Sequence, residues 1–195
     1  MKLLFPTVIH ELKVKSFKSI KKDLVNFVYE EKVKDPDGVI FSNKGGWQSQ
    51  PTYNSFDNIL LKIVSETLKL YFENNVLDMS KEIRFESLWM NINKKEDYNT
   101  THNHPLNHMA GVFWINSPKE CGNFECQSPH SYTYGWESAV YTSEFRDKTN
   151  CYGSYGFLPT EGSIMLFPAS INHRVTSNQS NEDRISSSFN LTFKL

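Results

Sequence analysis

The segment from Arg184 to Phe193 alternates between two kinds of side chain. Ile185, Phe189, Leu191 and Phe193 fall on one face of an extended strand, and Arg184, Ser186, Ser188, Asn190 and Thr192 on the other. The alternation follows from the strand itself, whose successive side chains point to opposite sides of the sheet. A strand at the protein surface shows the same pattern. Yet the polar face carries five side chains of which only Arg184 is charged. That composition also suits the wall of a polar pocket inside a barrel.

The rest of the chain supplies the partners of such a strand. Ser16 can cap a helix in which Phe17, Ile20, Leu24, Phe27 and Val28 recur at helical spacing. Ser55 can cap a second helix, with the stripe Phe56, Ile59, Leu60, Ile63, Val64 and Leu68. Both stripes read as core-facing. Asp35-Pro36-Asp37-Gly38 is a turn, and Gly45-Gly46-Trp47 a loop carrying an exposed or docking tryptophan. After Met79 the period changes. Ile83 to Asn93 reads as a strand with Ile83, Phe85, Trp89 and Asn91 on one face. Further strands are expected at Met109 to Asn116, at Ser163 to Phe167 between Gly162 and Pro168, and at Asn172 to Thr176. Helices followed by strands point to a β-sandwich or barrel flanked by helices. The expected organisation is one domain, with residues 1–80 largely helical support and 81–195 the strand-rich core. Residues 127–158 are rich in Ser, Tyr, Gly and Thr and show no period. They read as a long loop, the kind that forms a lid, and Tyr132, Tyr134, Trp136 and Tyr141 are its aromatic contacts.

Charge and cysteine content narrow the functional classes. A net charge of −1 provides no field for nucleic acid or an anionic membrane. No apolar stretch approaches the ~20 residues that a membrane helix needs, and the first residues are too short for a signal-peptide core. Cys121, Cys126 and Cys151 are odd in number and lack paired CxxC spacing. Free thiols in a reducing cytoplasm are expected.

Chemistry enters with the histidines. His102 and His104 stand in Thr101-His102-Asn103-His104-Pro105. Side chains at i and i+2 of a strand point the same way, with Cα atoms about 6.5–7 Å apart. Two imidazoles so placed can converge on one ion at about 2.0–2.1 Å each. A third ligand must come from elsewhere, and His173, behind the unit Gly162 to Pro168, can supply it. Three protein ligands leave positions open for substrate and oxygen chemistry. His108 competes with His104 as a ligand; His10 and His130 lack such context. Arg184, eleven residues past His173, can take a carboxylate bidentately. Ser186, facing the same way, can add a hydroxyl. Arg184 can instead form a structural pair with Glu182 or Asp183.

Together these residues resemble the iron(II)/2-oxoglutarate-dependent oxygenases, in particular the "putative 2OG-Fe(II) oxygenase" family found in marine bacteria and cyanophages. The resemblance rests on Trp89-Met90-Asn91, His102-Asn103-His104-Pro105 and Ala110-Gly111-Val112-Phe113-Trp114. It continues through Gly162 to Pro168 and His173-Arg174-Val175, and closes on Arg184-Ile185-Ser186-Ser187-Ser188-Phe189-Asn190. Leu4-Phe5-Pro6 and Gly45-Gly46-Trp47 add to it. Order and spacing carry the resemblance more than any single piece.

The resemblance implies a double-stranded β-helix, a distorted jelly roll. It implies iron(II) held by His102 and His173, with His104 the first candidate for the third ligand and His108 its competitor. It also implies 2-oxoglutarate held by Arg184, assisted by Ser186, with Asn91 a further contact and no catalytic residue beyond the metal ligands. Position 104 is where the wider superfamily most often has Asp or Glu, so His104 departs from the two-histidine, one-carboxylate pattern. The implied activity is a dioxygenase reaction, usually hydroxylation, that converts 2-oxoglutarate to succinate and CO2. The substrate, a peptide or a small molecule, stays unidentified, and the expected location is the cytoplasm, that of the host if the chain is phage-encoded. Two rivals remain at this level: a cupin-like protein with another metal, and a jelly-roll binding module without catalysis. In the cupin reading the downstream Glu is missing, since Met109 and Ala110 occupy that stretch, and Arg184 and Ser186 have no role.

Overall fold

The apolar stripes of the first third of the chain form two helices. The computed structural model describes residues 6–53, 58–73, 82–130 and 139–194. Helix α1 spans Phe17–Lys34 and buries Phe17, Leu24 and Val28. Ser16 precedes it in a left-handed conformation and makes no side-chain cap; its carbonyl accepts the Ser19 N–H at 3.0 Å and hydroxyl at 2.8 Å. Helix α2 spans Ile59–Phe72 and buries Leu60, Val64, Leu68 and Phe72. Its cap is Asn58, not Ser55. The Asn58 Oδ1 accepts the N–H groups of Leu60 and Leu61 at 2.9 and 3.4 Å. Asn58 directly precedes the first helical residue, where a cap must sit to reach those groups. Ser55 and Phe56 lie outside the described residues.

The strands form two antiparallel sheets. The first has the order β1-β9-β6-β11-β4-β3, where β1 is His10–Lys13, β3 Trp47–Gln48, β4 Glu82–Asn93, β6 Met109–Asn116, β9 Ser163–Pro168 and β11 Arg184–Lys194. The second has the order β2-β5-β10-β7-β8, where β2 is Asn43–Lys44, β5 Tyr98–His102, β7 Phe124–Gln127, β8 Ser154–Phe157 and β10 His173–Val175. The long strands agree with the sequence reading to within a residue or two. The short ones, β1, β2, β3, β5, β7 and β8, carry too few residues to declare a period. Residues before 80 therefore supply strands to both sheets as well as helices.

Three layers result: helices, the six-stranded sheet, the five-stranded sheet. Alternate residues of the middle layer serve two cores. Phe113 and Ile115 of β6, Ile164 and Leu166 of β9, and Ile185, Phe189 and Leu191 of β11 pack toward the helices. Ala110, Val112, Trp114, Met165 and Phe167 face the second sheet, where they meet Phe124 and Cys126 of β7. The strands of this layer are buried on both faces, which is why β6 and β9 read as near-continuous apolar runs.

One expected face is divided. Along β4, Ile83 and Phe85 pack toward the helices, whereas Trp89 and Asn91 line a cavity between the sheets. The register of β4 with β11 shifts between Asn190 and Leu191: Asn190 pairs with Ser87 and Leu191 with Phe85. Glu86 is the extra residue, and one extra residue inverts the alternation beyond it.

The Gly45-Gly46-Trp47 loop docks its tryptophan. Trp47 is buried, and its Nε1–H donates to Asp35 O at 2.8 Å. Gly45 and Gly46 have φ of 66° and 60°, and a Cβ on Gly45 would meet Asp97 Oδ1 at 1.9 Å. Glycine is required here both for the left-handed backbone and for the close approach.

Candidate metal centre

β5 and β10 are neighbours in the second sheet, and His173 pairs directly with His102. Antiparallel partners point to the same side, so the two imidazoles project together into the space between the sheets. Their ring centroids are 4.4 Å apart. His104 follows β5 in a loop tied by its N–H to Ala169 O at 2.9 Å. Its ring lies 5.1 Å from both others. One ligand nitrogen from each of the three histidines lies within 4.8 Å of the other two.

The tautomers follow from the hydrogen bonds. His102 Nδ1–H donates to Thr100 O at 2.7 Å, and His173 Nδ1–H to Ile171 O at 2.9 Å. A carbonyl only accepts, so both rings carry their proton on Nδ1 and present a lone pair on Nε2. His104 Nε2 is 3.3 Å from His173 Nε2. Since the latter is an acceptor, the bridging proton sits on His104. Two nitrogens about 2.1 Å from one ion and at right angles lie about 3.0 Å apart, so this spacing suits a shared cation. Burial lowers the pKa of all three rings. His104 is pushed down to about 4 and His173 to about 3, by burial first and the neighbouring imidazoles second. The cluster is neutral at pH 7 and ready to bind a cation.

His108 stands apart. It is exposed, and its Nδ1 accepts the Phe193 N–H at 3.0 Å. Of the two competitors for the third position, only His104 joins the cluster. His10 binds the Tyr71 hydroxyl at 2.8 Å, a link between β1 and α2.

The cavity beyond the histidines is lined by the polar face of β11, with Arg184, Ser186 and Ser188, and by Asn91 and Asn93 of β4. The first half of the polar face, Arg184 to Ser188, is thus a cavity wall, whereas Thr192 at its far end bonds Glu86 at an exposed position. Arg184 is 1% exposed. It pairs with neither Glu182 nor Asp183: its Nη1 donates to the carbonyls of Cys121 and Thr176. Nη2 has no partner among the described residues, and neither has Asn91 Oδ1. Burial pushes the guanidinium pKa down to about 10, which still leaves it charged at neutral pH. A buried cation with an open N–H suits a carboxylate.

Trp89, Trp114 and Asn99 also line the cavity. Nothing in the sequence marks these three as lining residues. Alternation places Trp114 with Ala110 and Val112, but only the pairing of β6 with β11 shows that this face meets Ser186. Within 127–158 the structure contains helix α3, Ser143–Thr149, and β8, both too short to show a period. Tyr132, Tyr134 and Trp136 lie outside the described residues; Tyr141 packs on Phe145 with rings tilted and centroids 4.6 Å apart.

Two packed antiparallel sheets with three imidazoles and a buried guanidinium lining the cavity between them define the class, a double-stranded β-helix; the imidazoles could hold a metal ion and the guanidinium could take a carboxylate. Residues 87–190, more than half of the chain, match the family described as "putative 2OG-Fe(II) oxygenase". The chain belongs to that family, whose cofactors are iron(II) and 2-oxoglutarate. No curated protein matches it in sequence. Among solved structures, a Pseudomonas putida prolyl-4-hydroxylase is similar at 11% identity and TM-score 0.66, over 97% of this chain and 94% of that one. The viral collagen prolyl hydroxylase of Paramecium Bursaria Chlorella virus-1, in its 2-oxoglutarate complex, aligns at 10% identity and TM-score 0.60, over 96% of each chain. HygX from Streptomyces hygroscopicus, with nickel, 2-oxoglutarate and hygromycin B bound, aligns at 9% identity and TM-score 0.62, over 95% of this chain and 83% of that one. At these identities the likeness is one of fold.

Proposed function

We propose that the chain is a 2-oxoglutarate-dependent dioxygenase that hydroxylates a peptide or small-molecule substrate and releases succinate and CO2. In this reading His102, His104 and His173 hold the iron, and Arg184, with Ser186 and Asn91, holds the cosubstrate. The observation that carries it is the pairing of two imidazoles oriented through Nδ1 with an open guanidinium N–H in the same cavity. Bound iron(II) supplies the oxygen chemistry, and the cosubstrate supplies electrons for it.

The chain's own residues bind and orient. The carbonyls of Thr100 and Ile171 fix two imidazoles in the ligating tautomer, the usual role of a partner behind a ligand histidine. His104 has no hydrogen bond on Nδ1 among the described residues, so its ring can pass the bridging proton to Nδ1 and free Nε2. Trp89 packs on that ring, with centroids 5.6 Å apart. Three neutral imidazoles leave the full charge of a divalent cation to be balanced by the anionic cosubstrate. Phe124 and Phe167 pack on His173, at 5.3 and 4.7 Å between centroids, and keep water from that side.

The test is spectroscopic. Anaerobic protein with iron(II) and 2-oxoglutarate is expected to show a weak visible charge-transfer band. His173→Ala abolishes it; Arg184→Ala weakens cosubstrate binding and spares the metal. Absence of both the band and thermal stabilisation by 2-oxoglutarate refutes the reading. Two of the similar structures are prolyl hydroxylases, so proline-containing peptides are the first substrates to screen, by succinate release.

A further inference from the structure

The cavity holds a donor that the site above leaves unused. Trp114 is 1% exposed, and its Nε1–H has no hydrogen-bond partner among the described residues. Ser186 pairs with Trp114 on one side and with Asn91 on the other. The three side chains therefore form one row across β6, β11 and β4, and all line the cavity. Arg184 stands two residues from Ser186, which makes it the diagonal neighbour of Trp114, within reach for a long side chain and an aromatic one. Between Ile185 and Ser186 the register with β6 shifts and leaves Ile115 without a partner. Bulges of this kind re-aim side chains beside functional sites.

Two buried N–H groups thus lack acceptors in the same cavity, Arg184 Nη2 and Trp114 Nε1. Native proteins rarely bury a donor without an acceptor, because its lost hydration is not repaid. A carboxylate has two oxygens and repays both. We propose that Trp114 is a cosubstrate-binding residue, its Nε1–H donating to one oxygen of the distal carboxylate while Arg184 Nη2 donates to the other. This rests on the reading of Arg184 as the carboxylate clamp. A neutral donor is the suitable second partner. Burial already disfavours the charge on Arg184, and a second cation in the row would repel it. A 2-oxoacid without a distal carboxylate leaves both donors empty, so the pair also selects for the dicarboxylate.

The experiment uses the indole N–H signals of ¹⁵N-labelled protein loaded with zinc(II), which does no oxygen chemistry. The four tryptophans are Trp47, Trp89, Trp114 and Trp136. The Trp114 signal is assigned by its loss in Trp114→Phe, or by elimination with the other three Trp→Phe variants if that protein does not fold. Titration with 2-oxoglutarate is expected to move the Trp114 signal downfield. Glutarate, which keeps both carboxylates, moves it the same way, and pyruvate leaves it in place. Trp114→Phe is expected to bind 2-oxoglutarate about ten- to hundredfold more weakly, with zinc affinity unchanged. If 2-oxoglutarate binds but the Trp114 signal stays, or Trp114→Phe binds it as tightly as the parent, the donor role is overturned while the Arg184 clamp stands. If the zinc-loaded parent does not bind 2-oxoglutarate, the clamp and the donor role fall together.

Discussion

Gly111 is a position at which one added methyl group would disturb the packing between the six-stranded sheet and the helices. It lies on β6 directly opposite Phe189 of β11. A Cβ at Gly111 would stand 2.2 Å from Phe189 Cζ, 2.6 Å from Cε2 and 2.8 Å from Cε1. Ordinary carbon–carbon contact is about 3.5–4.0 Å, so the ring would have to retreat by more than about 1 Å. It has little room: Phe189 is fully buried, and Phe85 packs on it with centroids 5.8 Å apart. Overpacking of this kind costs about 1–3 kcal/mol. In a chain of this length, Gly111→Ala is expected to lower Tm by about 2–12 °C. All three clashing atoms are ones that leucine lacks, so Phe189→Leu should rescue it. The double variant should lose less stability than the two single losses combined, by about 1 kcal/mol or more. Urea unfolding of the four proteins measures the cycle. Gly111→Ala within about 0.5 kcal/mol of the parent, or strict additivity with Phe189→Leu, refutes the packing argument.

Three further outcomes are expected. The metal-free protein should lose stability in acid. His104 and His173 titrate near 4 and 3 when folded, and near 6.5 when unfolded. Below 6.5 the unfolded chain binds more protons, so stability is complete above that value and falls as pH drops toward 4, by up to about 1.4 kcal/mol per unit and imidazole. Urea midpoints in EDTA between pH 4 and 7.5 test this, and a flat profile contradicts it. Cys126 is 7% exposed and burial pushes its thiol up to about 12. Native protein at pH 8 should therefore be alkylated at the half-buried Cys151 well before Cys126, by peptide mass spectrometry; equal rates refute it. Asn58→Ala removes the α2 cap and should cost about 0.5–2 kcal/mol in chemical denaturation, with no change in metal affinity; an unchanged midpoint would show that Asn58 is not the working cap.

The chain's local patterns carried much of this protein. The alternation from Arg184 to Phe193 marked a strand with a polar face, and the i, i+2 spacing of His102 and His104 marked two side chains that can share one side. Both are properties of a strand alone. The stripes of α1 and α2 needed only helical geometry. Short strands such as β7 and β8 stayed illegible because four residues hold too little period to distinguish extended structure from loop.

What only the tertiary structure decided is pairing. His173 meets His102 because β10 lies beside β5 in register, and nothing within either segment encodes that partner. His104 rather than His108 joins the cluster because the loop after β5 turns back onto Ala169, while His108 is engaged by Phe193 N–H. The first half of the polar face of β11 became a cavity wall because β4 and β6 flank it and the second sheet covers it. The extra residue at Glu86 sent Phe85 and Trp89 to opposite sides. Trp114 stands across from Ser186, and its N–H has no partner among the described residues. Periodicity is a property of one segment; register, burial and an unpaired donor are properties of two or more segments brought together, and these hold the chemistry.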